Sequence, residues 1–254
     1  MLYSAQSMPL SEGYADENGR FRELIKKNAH TLHTSQVRMS AFMGAFNELL
    51  RKKGCPILCI TISSRLSGTY SNAVIAAREL NGARIVVVDS LNTAAGMRFM
   101  VEKASELARA GVEIEKAADI LEEMRERIGT ALSVDDMAAL RRSGRLGVVR
   151  QSVGTILNIR PILYCKYGTI VAGQQTRGLG GQISSLVKAV PLDAQRIEIL
   201  SVDKTPALEM LERAVRSRFS CKIHQSFVGP ILAIHLGLSA IGLAWLQGET
   251  DVRA

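Results

Sequence analysis

The sequence predicts an α/β protein of two domains: a parallel sheet flanked by helices, then a second α/β domain with a mixed or antiparallel sheet. From residue 37 to 128, apolar runs of strand length alternate with segments of helical periodicity, which favours parallel strands and right-handed crossovers. After Arg145, two apolar runs flank Lys166-Tyr167-Gly168, a pattern that predicts a hairpin. We therefore expect an N-terminal domain at residues 1–150 and a C-terminal domain at residues 151–254.

The composition is that of a globular protein with a substantial core. The chain has 254 residues, of which 47% are hydrophobic and only 5% aromatic, so aliphatic side chains should fill its interior. The net charge of +8 permits an acidic partner, but the basic residues are dispersed and carry no interleaved aromatic residues. We therefore predict no binding to nucleic acid.

The elements of the first half follow from periodicity and turn residues. Residues 1–33 are polar and rich in turn formers, with one short helix predicted at 21–27. The pattern then predicts a helix ending at Lys53-Gly54, a buried strand at 56–62, a helix at 70–80 and a second buried strand at 84–88. Two amphipathic helices follow, with the apolar stripes Met97, Met100, Val101, Ala104, Leu107, Ala108 and Ile114, Ala117, Leu121, Met124, Ile128.

The second half is predicted to be richer in strands. The predicted elements are a helix at 149–157, hairpin strands at 160–165 and 169–174, a further helix, a strand at 196–202, a helix beginning at Thr205-Pro206 and further short strands. Because strands here follow one another through a hairpin, we expect a mixed or antiparallel sheet.

One apolar segment has the length of a membrane span. Ser226 to Trp245 comprises twenty residues without Asp, Glu, Lys or Arg. Pro230, His235 and three glycines interrupt it, and no second such segment exists. We therefore predict a buried strand, a turn and a core helix, with no integral membrane span.

A polar segment, Ser63 to Thr69, joins the predicted strand at 56–62 to a helix. Ligands bind at this end of parallel strands, and a helix N-terminus favours an anion. The hydroxyl groups add neutral donors and Gly68 permits close backbone approach, while the lack of the GxxxxGK[ST] lysine favours a carboxylate over nucleotide phosphate. The alternative is an ordinary helix cap with Ser67 or Thr69 as the N-cap residue, which spacing alone slightly favours.

A serine hydrolase or acyltransferase is a second hypothesis, with Ser64 or Ser67 as nucleophile and His235 as base. Such an enzyme needs a base within reach and usually a GxSxG elbow, which this segment lacks. A lone histidine in an apolar stretch is more often a core residue than a catalyst. We therefore predict no catalytic residue.

The four cysteines, Cys55, Cys59, Cys165 and Cys221, form neither a CxxC pair nor a metal-ligand spacing. We predict buried, reduced thiols, and neither a metal nor a cofactor. Reduced thiols, together with an N-terminus that lacks the pattern of a signal peptide, lead us to expect a cytoplasmic protein.

Several segments, taken together and in order, resemble the DegV family. They are Thr34-Ser35-Gln36, Ile62 to Tyr70, Val88-Asp89-Ser90, Arg142 to Leu146, Leu157 to Leu163 and His235-Leu236-Gly237. The resemblance covers residues 34–245, and the serine-rich segment combined with Asn158-Ile159-Arg160-Pro161 is specific to the family.

The resemblance implies a two-domain protein that binds a long-chain fatty acid in a tunnel between its domains, and that is not itself an enzyme. Some members are acyl-binding subunits of a bacterial fatty acid kinase, whose separate ATP-dependent subunit phosphorylates the bound carboxylate. By this resemblance Thr34, Ser67 and His235 hold the carboxyl group, and Gly68 and Thr69 add donors. Arg145 would stabilise the carboxyl or acyl-phosphate end, or face the kinase.

The sequence also departs from the family pattern. The usual first strand, ending in Thr-Asp-Ser, is not found, so we expect this chain to lack it. Val37 stands where proline is usual, and Leu238-Ser239 replaces the Pro-Gly that usually follows the histidine turn. These departures leave a third hypothesis, a shortened regulatory member that does not bind lipid.

Overall fold

The computed structural model describes residues 2–5, 8–11, 20–28, 31–134, 140, 144–145 and 159–248. Internal contacts divide the chain into two compact units: an inserted unit, Gln36–Ile128, and a discontinuous unit, Met1–Ser35 with Gly129–Ala254. The boundary predicted near residue 150 lies outside the described residues. The internal contacts separate the two units after Ser35 and after Ile128.

The discontinuous unit begins with a small antiparallel sheet and a helix. Strands β1 (Leu2–Ala5), β2 (Met8–Ser11) and β3 (His33–Ser35) lie in the order β2-β1-β3, and helix α1 spans Arg20–Asn28. The helix predicted at 21–27 is confirmed, but the prediction of turns is wrong at Leu2–Ala5 and Met8–Ser11, which form strands. The strands are short, and Pro9 confines β2 to an edge of the sheet, so their pattern is weak in the sequence.

The inserted unit holds two parallel strands, β4 (Ile57–Thr61) and β5 (Ile85–Asp89). Its helices are α2 (Met39–Lys53), α3 (Thr69–Glu79), α4 (Ala94–Arg109) and α5 (Ile114–Arg125). The predicted parallel pairing is confirmed, with Ile57 beside Ile85 and Thr61 beside Asp89. Helix α2 ends at the predicted glycine, Gly54, whose left-handed φ of 60° directs its N–H to the Leu50 carbonyl.

Most residues of the two predicted apolar stripes are buried in the inserted unit, with three corrections. Met100 and Leu121 are fully buried, but Val101 and Ala108 are exposed. Ile128 does not continue α5, because that helix ends at Arg125 and a strand, β6 (Ile128–Ser133), begins after Glu126-Arg127. The sequence pattern concealed this strand because Ile128 lies four residues after Met124, at helical spacing.

A mixed six-stranded sheet forms the centre of the discontinuous unit, in the order β10-β9-β11-β6-β7-β8. Its remaining strands are β7 (Ile159–Lys166), β8 (Thr169–Arg177), β9 (Ala194–Ser201), β10 (Lys222–Phe227) and β11 (Ile241–Gln247). The helices of this part are α6 (Gly178–Ala189), α7 (Pro206–Arg218) and α8 (Pro230–Leu236). The sheet is mixed because β9 pairs parallel with β10 and antiparallel with β11.

The hairpin and the helix start that were predicted in the second half are confirmed. Strands β7 and β8 form the predicted hairpin around Lys166-Tyr167-Gly168. Helix α7 begins after Thr205, whose Oγ1 accepts a hydrogen bond of 3.2 Å from the Leu208 N–H. The helix predicted at 149–157 lies outside the described residues.

The apolar segment Ser226 to Trp245 is divided among three elements, the end of β10, the seven-residue α8 and most of β11. Within the described part of the chain, no helix is long and apolar enough to cross a membrane. The predicted strand and helix are present, but the buried strand of this segment is β11, which follows the helix instead of preceding it.

Each of the four cysteines is a thiol rather than half of a disulfide. Burial raises the pKa of Cys59 in β4 to about 11 and that of Cys165 in β7 to about 12, so both thiols stay protonated at neutral pH. Cys221 is half-buried, and Cys55 is exposed. The prediction of buried cysteines is therefore wrong for Cys55, which lies after the end of α2 rather than in a strand.

Gly242 gives a test of the packing between β11 and β6. A Cβ there would lie 2.6 Å from the Ala131 carbonyl oxygen and would also overlap the Leu132 side chain. We expect Gly242→Ala to lower the free energy of unfolding by about 1–3 kcal/mol, measured by urea denaturation. The control is Gly44→Ala, at an exposed position of α2 where an added Cβ meets nothing within 4 Å. This substitution should raise the free energy of unfolding by about 0.5–1 kcal/mol. Equal stability of Gly242→Ala and the parent would contradict this packing.

Candidate functional site

The polar segment Ser63 to Thr69 forms a compact turn between β4 and α3. The carbonyl oxygen of Ser63 accepts hydrogen bonds from the N–H groups of Leu66, at 3.0 Å, and Ser67, at 3.1 Å. The Ser63 Oγ accepts a further bond from the Arg65 N–H at 3.2 Å. Ser63 is fully buried, so its polar atoms organise the turn, and the turn carries Ser67 to the start of the helix.

Ser67 and Thr69 form a buried hydroxyl pair, with 2.8 Å between Ser67 Oγ and Thr69 Oγ1. Ser67 Oγ also accepts from the Thr69 N–H, and Thr69 Oγ1 accepts from the Val37 N–H, both at 3.3 Å. Each hydroxyl has one proton. One of the two protons is used between the pair, so the other remains to donate outward.

The hydroxyl pair lies at the N-terminus of α3, where the helix dipole stabilises a bound anion. The helix begins at Thr69 and its N-cap residue is Gly68, which has no side chain, while Ser67 Oγ accepts from the Thr69 N–H. Neither Ser67 nor Thr69 is therefore the N-cap residue itself, although Ser67 satisfies the first N–H of the helix. The partial positive charge of the helix N-terminus and the outward hydroxyl together favour a negatively charged ligand group.

The backbone of residue 37 supports this pair in a way that the sequence did not reveal. Val37 donates its N–H to Thr69 Oγ1, and its carbonyl oxygen accepts from Asn72 Nδ2 at 2.7 Å. A proline, which the resemblance leads us to expect at this position, has no N–H and could not make the first bond. The Gln36 side chain, in turn, lies where a Cβ on residue 68 would be, so glycine permits the close approach.

A second polar loop follows β5 and joins the first at the same edge of the sheet. Asp89 Oδ1 accepts from the Ser64 N–H at 3.1 Å and from the Leu91 N–H at 3.0 Å. The carbonyl oxygen of the buried Asn92 accepts from the Ser63 N–H at 2.9 Å. The two loops are therefore fixed to one another by hydrogen bonds that involve both backbones.

The discontinuous unit holds the other predicted site residues. His235, near the end of α8, has its Nε2 2.8 Å from Thr34 Oγ1 in β3. Its Nδ1 is buried, with no hydrogen-bond partner in the part of the chain that the structure describes. Burial, and secondarily the charge of exposed Arg145, lowers the pKa of His235 to about 4, so the imidazole is neutral at physiological pH.

The six predicted site residues therefore fall into two sets. Ser67, Gly68 and Thr69 are adjacent in the inserted unit, whereas Thr34, His235 and Arg145 belong to the discontinuous unit. The structure brings Thr34 and His235 into direct contact, and places Arg145 where its charge acts on the imidazole. Each set by itself offers hydrogen-bond donors rather than a reactive group.

The chemistry of these groups does not favour a nucleophile or a metal. Ser67 Oγ is bonded to the hydroxyl and the N–H of Thr69, neither of which is a base, and His235 Nε2 is bonded to Thr34. Ser64 is exposed and its N–H is held by Asp89. Among the described residues, no group of three or more His, Cys, Asp or Glu side chains is placed to hold a metal ion.

Sequence comparison finds relatives over most of the chain. The profile of the DegV family of uncharacterised proteins matches residues 10–248. Protein DegV of Bacillus subtilis is 28% identical over 232 residues, which cover 89% of this chain and 82% of that protein. A DegV domain-containing protein of Deinococcus radiodurans is 30% identical over 220 residues, which cover 83% of this chain and 76% of that protein.

Solved structures share the fold. A DegV family protein of Thermus thermophilus, described by its fatty acid binding, has a TM-score of 0.86 and 26% identity, covering 97% of this chain and 90% of its own. A DegV lipid-binding protein of Thermotoga maritima has a TM-score of 0.88 and 23% identity, covering 98% and 90%. The fatty acid kinase (Fak) B3 protein of Streptococcus pneumoniae, loaded with linoleic acid, has a TM-score of 0.81 and 18% identity, covering 97% and 89%.

The neutral imidazole of His235 predicts a loss of stability in mild acid. The unfolded chain takes up a proton near the ordinary pKa of 6.5, but the folded chain does not until about pH 4. Between these values the unfolded state binds more protons, so the free energy of unfolding should fall as the pH falls from about 6.5 to about 4. Thermal denaturation at a series of pH values, compared with His235→Asn, measures this contribution.

Arg145→Gln tests whether the charge of Arg145 contributes to the low pKa of His235. Removing the guanidinium charge should raise the pKa of His235, which an NMR titration of the imidazole measures directly. An imidazole that titrates at or above its ordinary pKa in the parent, or that Arg145→Gln leaves unchanged, would contradict the electrostatic description.

Proposed function

Because the chain belongs to the DegV family, we propose that it binds a long-chain fatty acid and holds the carboxylate at the Ser67–Thr69 hydroxyl pair. The observation that carries this proposal is the pair itself, at the N-terminus of α3, with one proton left to donate outward. The described fatty acid binding of the Thermus thermophilus relative, at 26% identity, supports a lipid as the ligand.

Neutral donors suit a carboxylate that is bound and released rather than transformed. A hydrogen bond from the outward hydroxyl to a carboxylate contributes roughly 1.5–3 kcal/mol. Burial of the hydrocarbon chain contributes roughly 0.8 kcal/mol for each methylene, so a long chain should supply most of the affinity. The hydrogen bonds to the carboxylate then determine the orientation of the fatty acid, and burial of its hydrocarbon chain determines most of the affinity.

We include Thr34, His235 and Arg145 in the proposal as a second set of residues that acts on the ligand carboxyl group. The buried, unpartnered Nδ1 of His235 is a polar atom for which a ligand could supply the missing hydrogen bond. Thr34 fixes the ring through Nε2, and Arg145 supplies a positive charge. The tunnel between domains that the resemblance implies stays a prediction.

We further propose that the protein is a carrier or acyl-binding subunit in the cytoplasm rather than an enzyme. Free cysteines with raised thiol pKa values fit a reducing compartment. The partnership with an ATP-dependent fatty acid kinase subunit stays a prediction, because the Streptococcus pneumoniae Fak B3 protein shares the fold at only 18% identity. Its test is recovery of such a kinase with the lipid-loaded protein.

Native mass spectrometry and calorimetry with palmitate test lipid binding. Freshly purified protein should carry an acyl mass, and delipidated protein should bind palmitate. A protein that carries no lipid and ignores palmitate and oleate would support the third hypothesis, a regulatory member without lipid. Labelling of Ser64 or Ser67 by a covalent serine probe would instead support the hydrolase hypothesis.

Ser67→Ala tests the head-group residue. Loss of one hydrogen bond to a charged group should weaken palmitate binding about tenfold to a hundredfold, measured by isothermal titration calorimetry. Ser71→Ala is the control, because Ser71 is an exposed hydroxyl residue in the same helix and should leave the affinity unchanged. Parent-like affinity in Ser67→Ala would place the carboxylate elsewhere.

A further inference from the structure

We propose that Asp89 is a positioning residue for the head-group turn, where its carboxylate joins the two loops that follow β4 and β5. This role rests on the proposed function, because its effect is to hold Ser67 and Thr69 in the geometry that binds the carboxylate. Asp89 is not proposed to touch the ligand. It acts through the backbone of Ser64.

The Asp89 carboxylate connects the loop after β4 to the loop after β5 by hydrogen bonds. Asp89 Oδ1 accepts one hydrogen bond from the Ser64 N–H, in the loop after β4, and one from the Leu91 N–H, in the loop after β5. The Ser64 bond spans 25 residues of sequence, so it fixes one loop against the other.

The strands place Asp89 correctly for this task. Asp89 is the last residue of β5 and lies beside Thr61, the last residue of β4, and the Ser90 N–H donates to the Thr61 carbonyl oxygen at 3.2 Å. On the other side, Arg125 Nη1 of α5 donates to the Asp89 carbonyl oxygen at 3.0 Å. The backbone of residue 89 is therefore fixed, and its side chain has a defined direction.

The loop after β5 carries strain that these bonds must hold. Leu91 and Ala94 adopt left-handed φ values of 46° and 48°, a region that side chains other than those of Asn and Asp rarely enter. The bond from the Leu91 N–H to Asp89 Oδ1, two residues back, is the Asx-turn contact that stabilises such a bend. Strained backbone of this kind persists only where the surrounding contacts stabilise it, and the hydrogen bond to Asp89 is one of those contacts.

The buried neighbours extend the same scaffold to Ser63. The Asn92 carbonyl oxygen accepts from the Ser63 N–H and from Ser90 Oγ, and a Cβ on residue 96 would overlap the Asn92 side chain. Loss of the Asp89 acceptor would remove the bonds from the Ser64 and Leu91 N–H groups together, and the turn would then populate its binding-competent conformation less often. Apparent affinity falls in proportion to that population.

Three variants separate positioning from simple stability. Asp89→Ala removes the acceptor, Asp89→Asn keeps a side-chain carbonyl oxygen that can accept both bonds, and Asp119→Ala on the exposed face of α5 is the control. We expect Asp89→Ala to bind palmitate at least tenfold more weakly than the parent, and Asp89→Asn and Asp119→Ala to stay within about threefold of it.

A ligand without a carboxylate and an exchange measurement complete the test. Binding of 1-hexadecanol should be equal in the parent and Asp89→Ala, because the alcohol does not need the ordered head-group turn. Hydrogen exchange of the segment 63–69 should be at least tenfold faster in Asp89→Ala than in the parent, with Asp89→Asn close to the parent.

The outcomes distinguish this proposal from the proposed function. If the parent binds no palmitate, both proposals are overturned. If the parent binds palmitate and Asp89→Ala binds it equally well, or Asp89→Asn is as weak as Asp89→Ala, only the role of Asp89 is overturned. If Asp89→Ala does not fold, weak palmitate binding by folded Asp89→Asn overturns the role of the acceptor oxygen, and parent-like binding with parent-like exchange supports it.

Discussion

The parallel pairing of β4 with β5 is the constraint on which the candidate head-group site depends. Because Thr61 and Asp89 end the two strands side by side, the loops that follow must meet at one edge of the sheet. Water cannot satisfy buried polar atoms there, so the loops satisfy one another, as the bonds from the Ser63 N–H to the Asn92 carbonyl oxygen and from the Ser90 N–H to Thr61 show. The conformation of the head-group turn follows from this closure.

The same requirement explains why so many polar side chains occur at this edge and why few of them are available to a ligand. Ser90 Oγ donates to the Asn92 carbonyl oxygen and accepts from the Asn92 N–H, and Ser63 Oγ accepts from Arg65. These hydroxyls stabilise the loops themselves. In the pair of Ser67 and Thr69, one of the two hydroxyl protons is used between the partners, so the other remains to donate to a ligand. A count of hydroxyl residues in the sequence therefore overstates the number of ligand donors.

Sequence reasoning was accurate where a long periodic pattern and its terminal residues agreed. Gly54 marks the end of α2, and the Thr205-Pro206 pair marks the start of α7. It was inaccurate where one pattern continued across a boundary, as at Ile128, which keeps helical spacing but begins β6. The site shows the same division: the segment Ser63 to Thr69 could be identified from its residue types, but the N–H of Val37 could not, because a backbone donor has no residue-type signal.

Apart from the Arg145 guanidinium, the donors identified at the two sets of residues are neutral, and this has a consequence for a ligand that must both bind and leave. Burying a carboxylate in an ion pair carries a large desolvation penalty. When the carboxylate leaves, its cationic partner stays behind as a buried charge without a counterion. A serine hydroxyl carries no charge, and the imidazole of His235, whose pKa is held at about 4, stays neutral without the ligand. The protein can therefore remain folded with the head-group residues empty. Under the proposed function, the affinity then depends mainly on the length of the hydrocarbon chain, whose burial needs no charged partner.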